Sequence, residues 1–269
     1  MVDSMENAKN IKPCDLEEYK EWLRKNHNID ISERYKTYYD SVTNKLLNDF
    51  TTSQIWQIIG EKIGIFNQEY YLLNKYFLFI TEKLPDFKIK PYTSFLLKTY
   101  RKNIIENPDY PNKPKCNWVF PETWFSQIND IIRGLFVVKY IDGVNFLCEK
   151  FSVICNELNI KYKIDYEAKE EGYYAAHFYI IKDFEIPKEN WDTISTTFYI
   201  EIQITTQLQE VLRTLLHKYY ENNRKLIQLP EKKWQWDYKS DEFSTNYLGH
   251  ILHYVEGMIM EIRDKQKDK

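Results

Sequence analysis

Seven glycines are scattered through the 269 residues, as Gly60, Gly64, Gly134, Gly143, Gly172, Gly249 and Gly257, and no two lie closer than four residues apart. Neither GxGxxG nor GxxxxGK can be written with that spacing. Those loops need clustered glycines so that backbone amides can reach phosphate oxygens. The usual Rossmann and P-loop cradles are therefore excluded. Any nucleotide handled by this chain must be held by side chains and metal.

Charge narrows the partners less. With 37 basic and 40 acidic residues the net charge is −3, so no global basic field advertises nucleic acid, although a local basic face stays open. The four cysteines, Cys14, Cys116, Cys148 and Cys155, show no CxxC spacing and read as free thiols of a reducing compartment. No apolar run approaches the roughly 18 residues of a membrane span, and MVDSMENAKNIKPC lacks the apolar stretch of a signal peptide. A cytoplasmic protein is expected. The 22 tyrosines and 15 phenylalanines exclude ordinary disorder and supply a core for one sizeable domain or two small ones.

Periodicity gives a coarse outline. From Asp15 to Leu84 apolar residues recur at helical steps, with Thr51, Thr52 or Ser53 able to cap a further helix. Ser94 to about Asn103 reads as a helix start capped by Thr93, and the prolines between Asn107 and Pro121 mark a loop. Leu135–Val138 looks like a buried strand, and Val144–Leu158 is helical in spacing. Two strand candidates follow, Ala175–Ile181 and Phe198–Ile204, separated by a loop around Pro187. In the second, Ile200, Ile202 and Ile204 share one face while Glu201 and Gln203 share the other. Gln207–Lys225 and Thr245–Lys265 read as helices. The expected class is α+β: a mixed sheet with helical flanks.

Several residues can carry chemistry. Alternation alone puts Glu201 on a solvated sheet face, yet Gln203, Thr205, Thr206 and Gln207 continue a polar platform beside a helix N-terminus, which suits anions. Asp130 precedes the Leu135–Val138 run, where a carboxylate can join Glu201 around a divalent cation, or serve only as a surface aspartate. Gly172-Tyr173-Tyr174-Ala175-Ala176-His177 offers a turn glycine, a face for base stacking and a hydrogen-bonding histidine, or simply a tyrosine-rich strand edge. Lys88, Lys90, Lys98, Arg101 and Lys102 form a cationic set around Ser94 that can meet a triphosphate or stand as a solvated basic helix. His250 and His253 have HxxH spacing without a further ligand, so packing outweighs metal binding.

Taken in order, four segments resemble the synthetase domain of the RelA/SpoT family: KIKPYTSFLLKTYRK at 88–102, NDIIRGLFVV at 129–138, EGYYAAHFYI at 171–180 and FYIEIQITT at 198–206. The resemblance spans roughly residues 85–225. It implies a nucleotidyltransferase-like core there, flanked by a helical region over 1–84 and a helical extension over 226–269. It implies transfer of pyrophosphate from ATP to a ribose 3′-hydroxyl with Mg²⁺ as cofactor. By position, Lys88, Lys90, Ser94, Lys98 and Arg101 are the expected ATP-binding set. Asp130 and Glu201 are the expected metal and catalytic carboxylates, and Tyr173, His177, Gln203 and His217 the acceptor-binding set.

Departures from the family pattern bear on the acceptor. Leu135 and Thr205 stand where alarmone synthetases usually carry arginine, and Glu171, Leu216 and Tyr174-Ala175-Ala176 also differ. Losing those arginines weakens a pocket for the 5′-phosphates of GDP or GTP. What remains resembles the toxic small alarmone synthetases. That likeness implies the tRNA 3′-CCA end as acceptor, translation arrest and a protein antitoxin as partner. Arg133, Arg213, Lys218, Arg224 and Lys225 are then candidates for docking tRNA phosphates. The competing expectations are synthesis of (p)ppGpp or (p)ppApp from free nucleotides, and a non-catalytic interaction protein on a decayed synthetase scaffold.

Overall fold

A computed structural model describes residues 12–187, 192–223 and 234–267, with the backbone alone for 216–223 and 267. Three helices come first: α1 (Leu16–His27), α2 (Glu33–Thr51) and α3 (Gln54–Asn74). Asp15 caps α1 by accepting the Glu18 N–H at 2.8 Å, and acidic first-turn and basic last-turn residues suit the helix dipole. The helical reading to Leu84 is too long. Lys75 adopts a left-handed φ of 64° and ends α3. Phe77–Ile80, whose spacing mimics a helix, is not helical, and Leu78 and Phe79 are buried in it. The Leu78 carbonyl accepts the Lys139 N–H at 2.9 Å.

A two-residue strand β1 (Lys88–Ile89) leads into α4 (Tyr92–Tyr100), which widens into a π-turn at Arg101–Ile105. The helix begins directly after Pro91, not after a Thr93 cap, because the fixed φ of proline suits a helix entrance. Then follow α5 (Trp124–Gln127), β2 (Ile132–Val138), α6 (Ile141–Glu157), β3 (Lys161–Ala168), β4 (Tyr174–Pro187), β5 (Thr193–Thr206), α7 (Gln207–Asn223) and α8 (Asp241–Lys267). The mixed five-stranded sheet runs β1-β2-β5-β4-β3, an α+β arrangement as the periodicity suggests.

β3 is absent from the sequence reading, although KYKIDYEA alternates charged and apolar residues cleanly. It pairs antiparallel with β4, Lys161 opposite Ile181 and Ala168 opposite Tyr174. β4 and β5 are also longer than their apolar cores suggested, since paired polar residues extend both.

The chain forms two compact units. One holds the described parts of Met1–Asp49, Lys88–Ile132 and Lys182–Tyr199. Its interior includes Tyr19, Trp22, Leu23, Tyr100 and Ile104. Asn103, fully buried, donates to the Tyr19 hydroxyl and the Val119 carbonyl and accepts the Val119 N–H. A buried amide so fully satisfied fixes the path of the proline-rich loop. The other unit comprises Phe50–Phe87, Arg133–Ile181 and the described part of Ile200–Lys269. There Phe87, Trp56, Phe136, Phe151 and Phe178 contact one another edge to face in sequence, and Ile200, Ile202 and Ile204 are fully buried.

Candidate active site

In the first unit, Lys90 is held at both of its backbone polar groups. Its N–H donates to the Ile131 carbonyl at 2.8 Å, and its carbonyl accepts the Tyr39 hydroxyl at 2.7 Å. From that fixed point its ammonium reaches Asp130 Oδ2 at 2.9 Å, while Lys98, on α4, reaches Asp130 Oδ1 at 2.8 Å. Burial alone pushes the Asp130 carboxyl up, but Lys98 and then Lys90 outweigh it and bring it down to about 2. Asp130 is thus an ionised carboxylate clamped between two cations.

Other members of the expected ATP set stand apart from this clamp. Lys88 is exposed on β1, and Ser94 is exposed in the first turn of α4. Arg101 is exposed and turns to Glu106, 2.5 Å away. Lys102, inside the π-turn, donates to the Gln127 carbonyl at 3.5 Å.

The second unit holds a hydrogen-bonded row on β4 and β5. Gly172, with φ of 73°, makes the turn that delivers Tyr173. The Tyr173 hydroxyl lies 3.0 Å from His177 Nε2, and His177 Nδ1 lies 2.7 Å from Glu201 Oε1. Tyr179 donates to the same Glu201 oxygen at 3.4 Å. The solvated-face expectation for Glu201 is therefore wrong: the residue is 2% exposed. His177 and Tyr179, from neighbouring β4, flank it and hold its Oε1. Glu201 Oε2 is buried and has no hydrogen-bond partner among the described residues.

Tyr173 carries more than its ring. Burial and then the Glu201 charge push its phenol well above the usual range, with Arg213 and Arg133 pulling the other way. Its ring meets His177 edge to face, and Lys169 Nζ sits 5.5 Å from the ring centroid. Sequence reasoning assigned the ring to stacking and missed the hydroxyl. The i, i+4 spacing of Tyr173 and His177 carries no such signal in a strand.

The remaining candidates are dispersed. Gln203 is half-buried on β5, and Arg133 half-buried on β2. Arg213 is bidentate to Glu210 at 2.5 and 2.8 Å. Thr205 spends its hydroxyl on the Tyr174 carbonyl at 3.0 Å. The side chains of His217, Lys218, Arg224 and Lys225 lie outside the described residues. His250 bonds the Tyr174 hydroxyl at 2.8 Å and His253 stacks on the Tyr174 ring, so both have packing roles. Among the described residues no three His, Cys, Asp or Glu side chains form a metal cluster. Cys148 and Cys155 are buried thiols pushed up to about 11 and about 12 by burial, which makes them inert as nucleophiles. No helix of the described residues is long and apolar enough to cross a membrane.

No protein-family model and no curated protein matches the chain. Solved structures do. The chain is similar to small alarmone synthetase 1 from Bacillus subtilis at 16% identity and a TM-score of 0.50, covering 88% of this chain and 98% of that one. A GTP pyrophosphokinase family protein from Streptococcus pneumoniae aligns at 18% identity and a TM-score of 0.48, covering 88% and 94%. Small alarmone synthetase 2 from Bacillus subtilis aligns at 18% and 0.48, covering 78% and 93%. At such identities the likeness is one of fold: the chain is built on the same α+β plan as small alarmone synthetase 1.

Proposed function

We propose that the chain is an ATP-dependent pyrophosphokinase whose acceptor is a ribose 3′-hydroxyl, that of the tRNA 3′ end. The observation that carries this reading is Glu201: a buried carboxylate with one oxygen fixed by His177 and Tyr179 and the other unpartnered. Such a group is poised to take a proton from an acceptor hydroxyl. The freed oxygen attacks the β-phosphorus of ATP, the bond from that phosphorus to the α–β bridging oxygen breaks, and AMP leaves with the electron pair. The acceptor then bears a 3′-diphosphate. Lys90 and Lys98 offer charge to the phosphates, assisted by Lys88, Ser94 and Arg101. Mg²⁺, when bound, neutralises phosphate charge. Asp130, ionised at neutral pH, is a carboxylate of the kind such an ion takes beside phosphate oxygens.

For the acceptor, the ring of Tyr173 supplies a stacking face. Thr205, where the synthetase pattern has arginine, is buried and bonded to backbone, and this favours an acceptor that brings no 5′-phosphates to that point. Diphosphorylation of a tRNA 3′ end blocks aminoacylation, so the activity would arrest translation and call for a neutralising protein partner. The test is to incubate the protein with ATP labelled in its β-phosphate and tRNA, GTP, GDP or ATP, and to resolve the products. Label on tRNA is expected. Label only on guanosine or adenosine nucleotides replaces the acceptor with a free nucleotide, and no labelled product from any acceptor overturns the pyrophosphokinase reading.

A further inference from the structure

Elements of the second unit line a half-open cavity of about 290 Å³ that neither Tyr173, His177 nor Glu201 lines. Its walls come from α6, β3, β4, the end of β5, α7 and α8. Along β4, Tyr174 and Ala176 alternate with His177, and the cavity is lined by other side chains than the Tyr173, His177 and Glu201 row.

One lining residue is out of keeping with its surroundings. Glu256, on α8, is 5% exposed. Its Oε1 accepts the Thr206 hydroxyl. Its Oε2 is buried with no hydrogen-bond partner among the described residues, and His253 Nδ1 stands 3.4 Å from it without forming a hydrogen bond. Burial raises the Glu256 carboxyl above the usual range. A buried carboxylate is ordinarily matched by a lysine or arginine, and neither type lines this cavity, whereas Glu167 adds a second acid.

The rest of the lining selects the ligand. Tyr166, Tyr174 and His253 are aromatic walls, the last two stacked with centroids 3.7 Å apart and planes within 8°. Ile141 and Val144 add aliphatic surface. Aromatic and aliphatic walls around a carboxylate with no lysine or arginine beside it suit an organic cation. A phosphate or carboxylate ligand would meet two acids, with His253 the one basic side chain in the lining. Among the described residues no three His, Cys, Asp or Glu side chains gather to hold an inorganic cation.

We propose that this cavity binds a small organic cation, an ammonium or amidinium head on a planar apolar body, with the head on Glu256 Oε2. The site is independent of the pyrophosphokinase reading and stands whether or not that reading holds.

Benzamidine is a suitable probe and neutral benzamide its isosteric control. Titration of each into the full chain by calorimetry, with ligand-observed NMR as a second readout, should give saturable benzamidine binding and at least about tenfold weaker benzamide binding. Glu256→Gln should weaken benzamidine by a similar factor. Ala168→Phe, at an exposed position on the cavity wall, should do the same without touching the buried acid, which covers the case that Glu256→Gln fails to fold. Glu201→Gln should leave probe binding unchanged. Equal affinity for benzamide, retained binding in a folded Glu256→Gln protein, loss in Glu201→Gln, or no saturable benzamidine binding each overturns the proposal.

Discussion

His177 Nδ1 lies 2.7 Å from Glu201 Oε1, and the far nitrogen of the same ring lies 3.0 Å from the Tyr173 hydroxyl. One imidazole therefore spans the residue expected to act on the acceptor hydroxyl and the residue expected to stack on the acceptor base. The arrangement fixes one carboxylate oxygen, while the other has no hydrogen-bond partner among the described residues.

Glu201→Gln removes the proton acceptor while keeping side-chain shape and an oxygen for His177. Pyrophosphate transfer should fall by about 10²- to 10⁴-fold. The melting temperature should shift little, since no partner of Oε2 is lost. A Gln variant within threefold of wild-type turnover would remove Glu201 from the reaction.

The two roles of Tyr173 separate by substitution. Tyr173→Ala loses ring and hydroxyl, so acceptor KM should rise while ATP binding is spared. Tyr173→Phe keeps the ring and should keep acceptor KM. It loses one hydrogen bond to His177, worth about 0.5–1.5 kcal/mol net, and kcat should drop by roughly two- to tenfold. Steady-state kinetics of both variants decide the matter, and a raised acceptor KM in the Phe variant would refute the division.

Asp130 gives a pH signature. Its carboxyl is lowered to about 2 in the folded protein by Lys98 and Lys90. The stabilisation is thus present in full above the ordinary carboxylate value near about 4 and is lost as pH falls toward about 2. Asp130→Asn should cost at most about 3 kcal/mol at neutral pH, and the gap to wild type should close on acidification. Urea unfolding of both proteins between pH 7 and about 3 measures it. A gap that stays constant down to the lowest pH would assign the stabilisation to something other than ionisation.

How much of this was legible follows from where information sits in a chain. The strand Phe198–Ile204 and the order of the motif segments are local patterns, and they were readable. The burial of Glu201 was not, because alternation assigns a face without saying what covers it. His177 and Tyr179 reach it from another strand. Lys90 and Asp130, 40 residues apart, meet because the Lys90 amide bonds to the Ile131 carbonyl at the start of β2, a pairing no spacing encodes. The strand β3 was readable from KYKIDYEA, but its charged face hides it from a search keyed to apolar runs. The end of α3 was hidden for the opposite reason, since Lys75 takes a left-handed conformation with no glycine to announce it.

The glycines, sparse as they are, make a final contrast. A Cβ on Gly172 would meet the Asn246 carbonyl oxygen at 2.3 Å, and one on Gly249 would meet the Gly172 carbonyl oxygen at 2.3 Å. The turn before Tyr173 and the helix α8 therefore approach backbone to backbone, which only two glycines permit. Gly172→Ala adds a left-handed φ penalty of about 1–2 kcal/mol to that clash, and Gly249→Ala meets the clash alone. Both should lower the melting temperature by several degrees and, by displacing the turn, weaken acceptor use more than ATP binding. Gly257, also in α8, has open space around its Cβ position and is exposed. Gly257→Ala should raise stability by up to about 1 kcal/mol through helix propensity alone. Calorimetric melting of the three variants tests the contrast, and a Gly249→Ala protein that melts like wild type would show that α8 is not pinned to the Tyr173 turn.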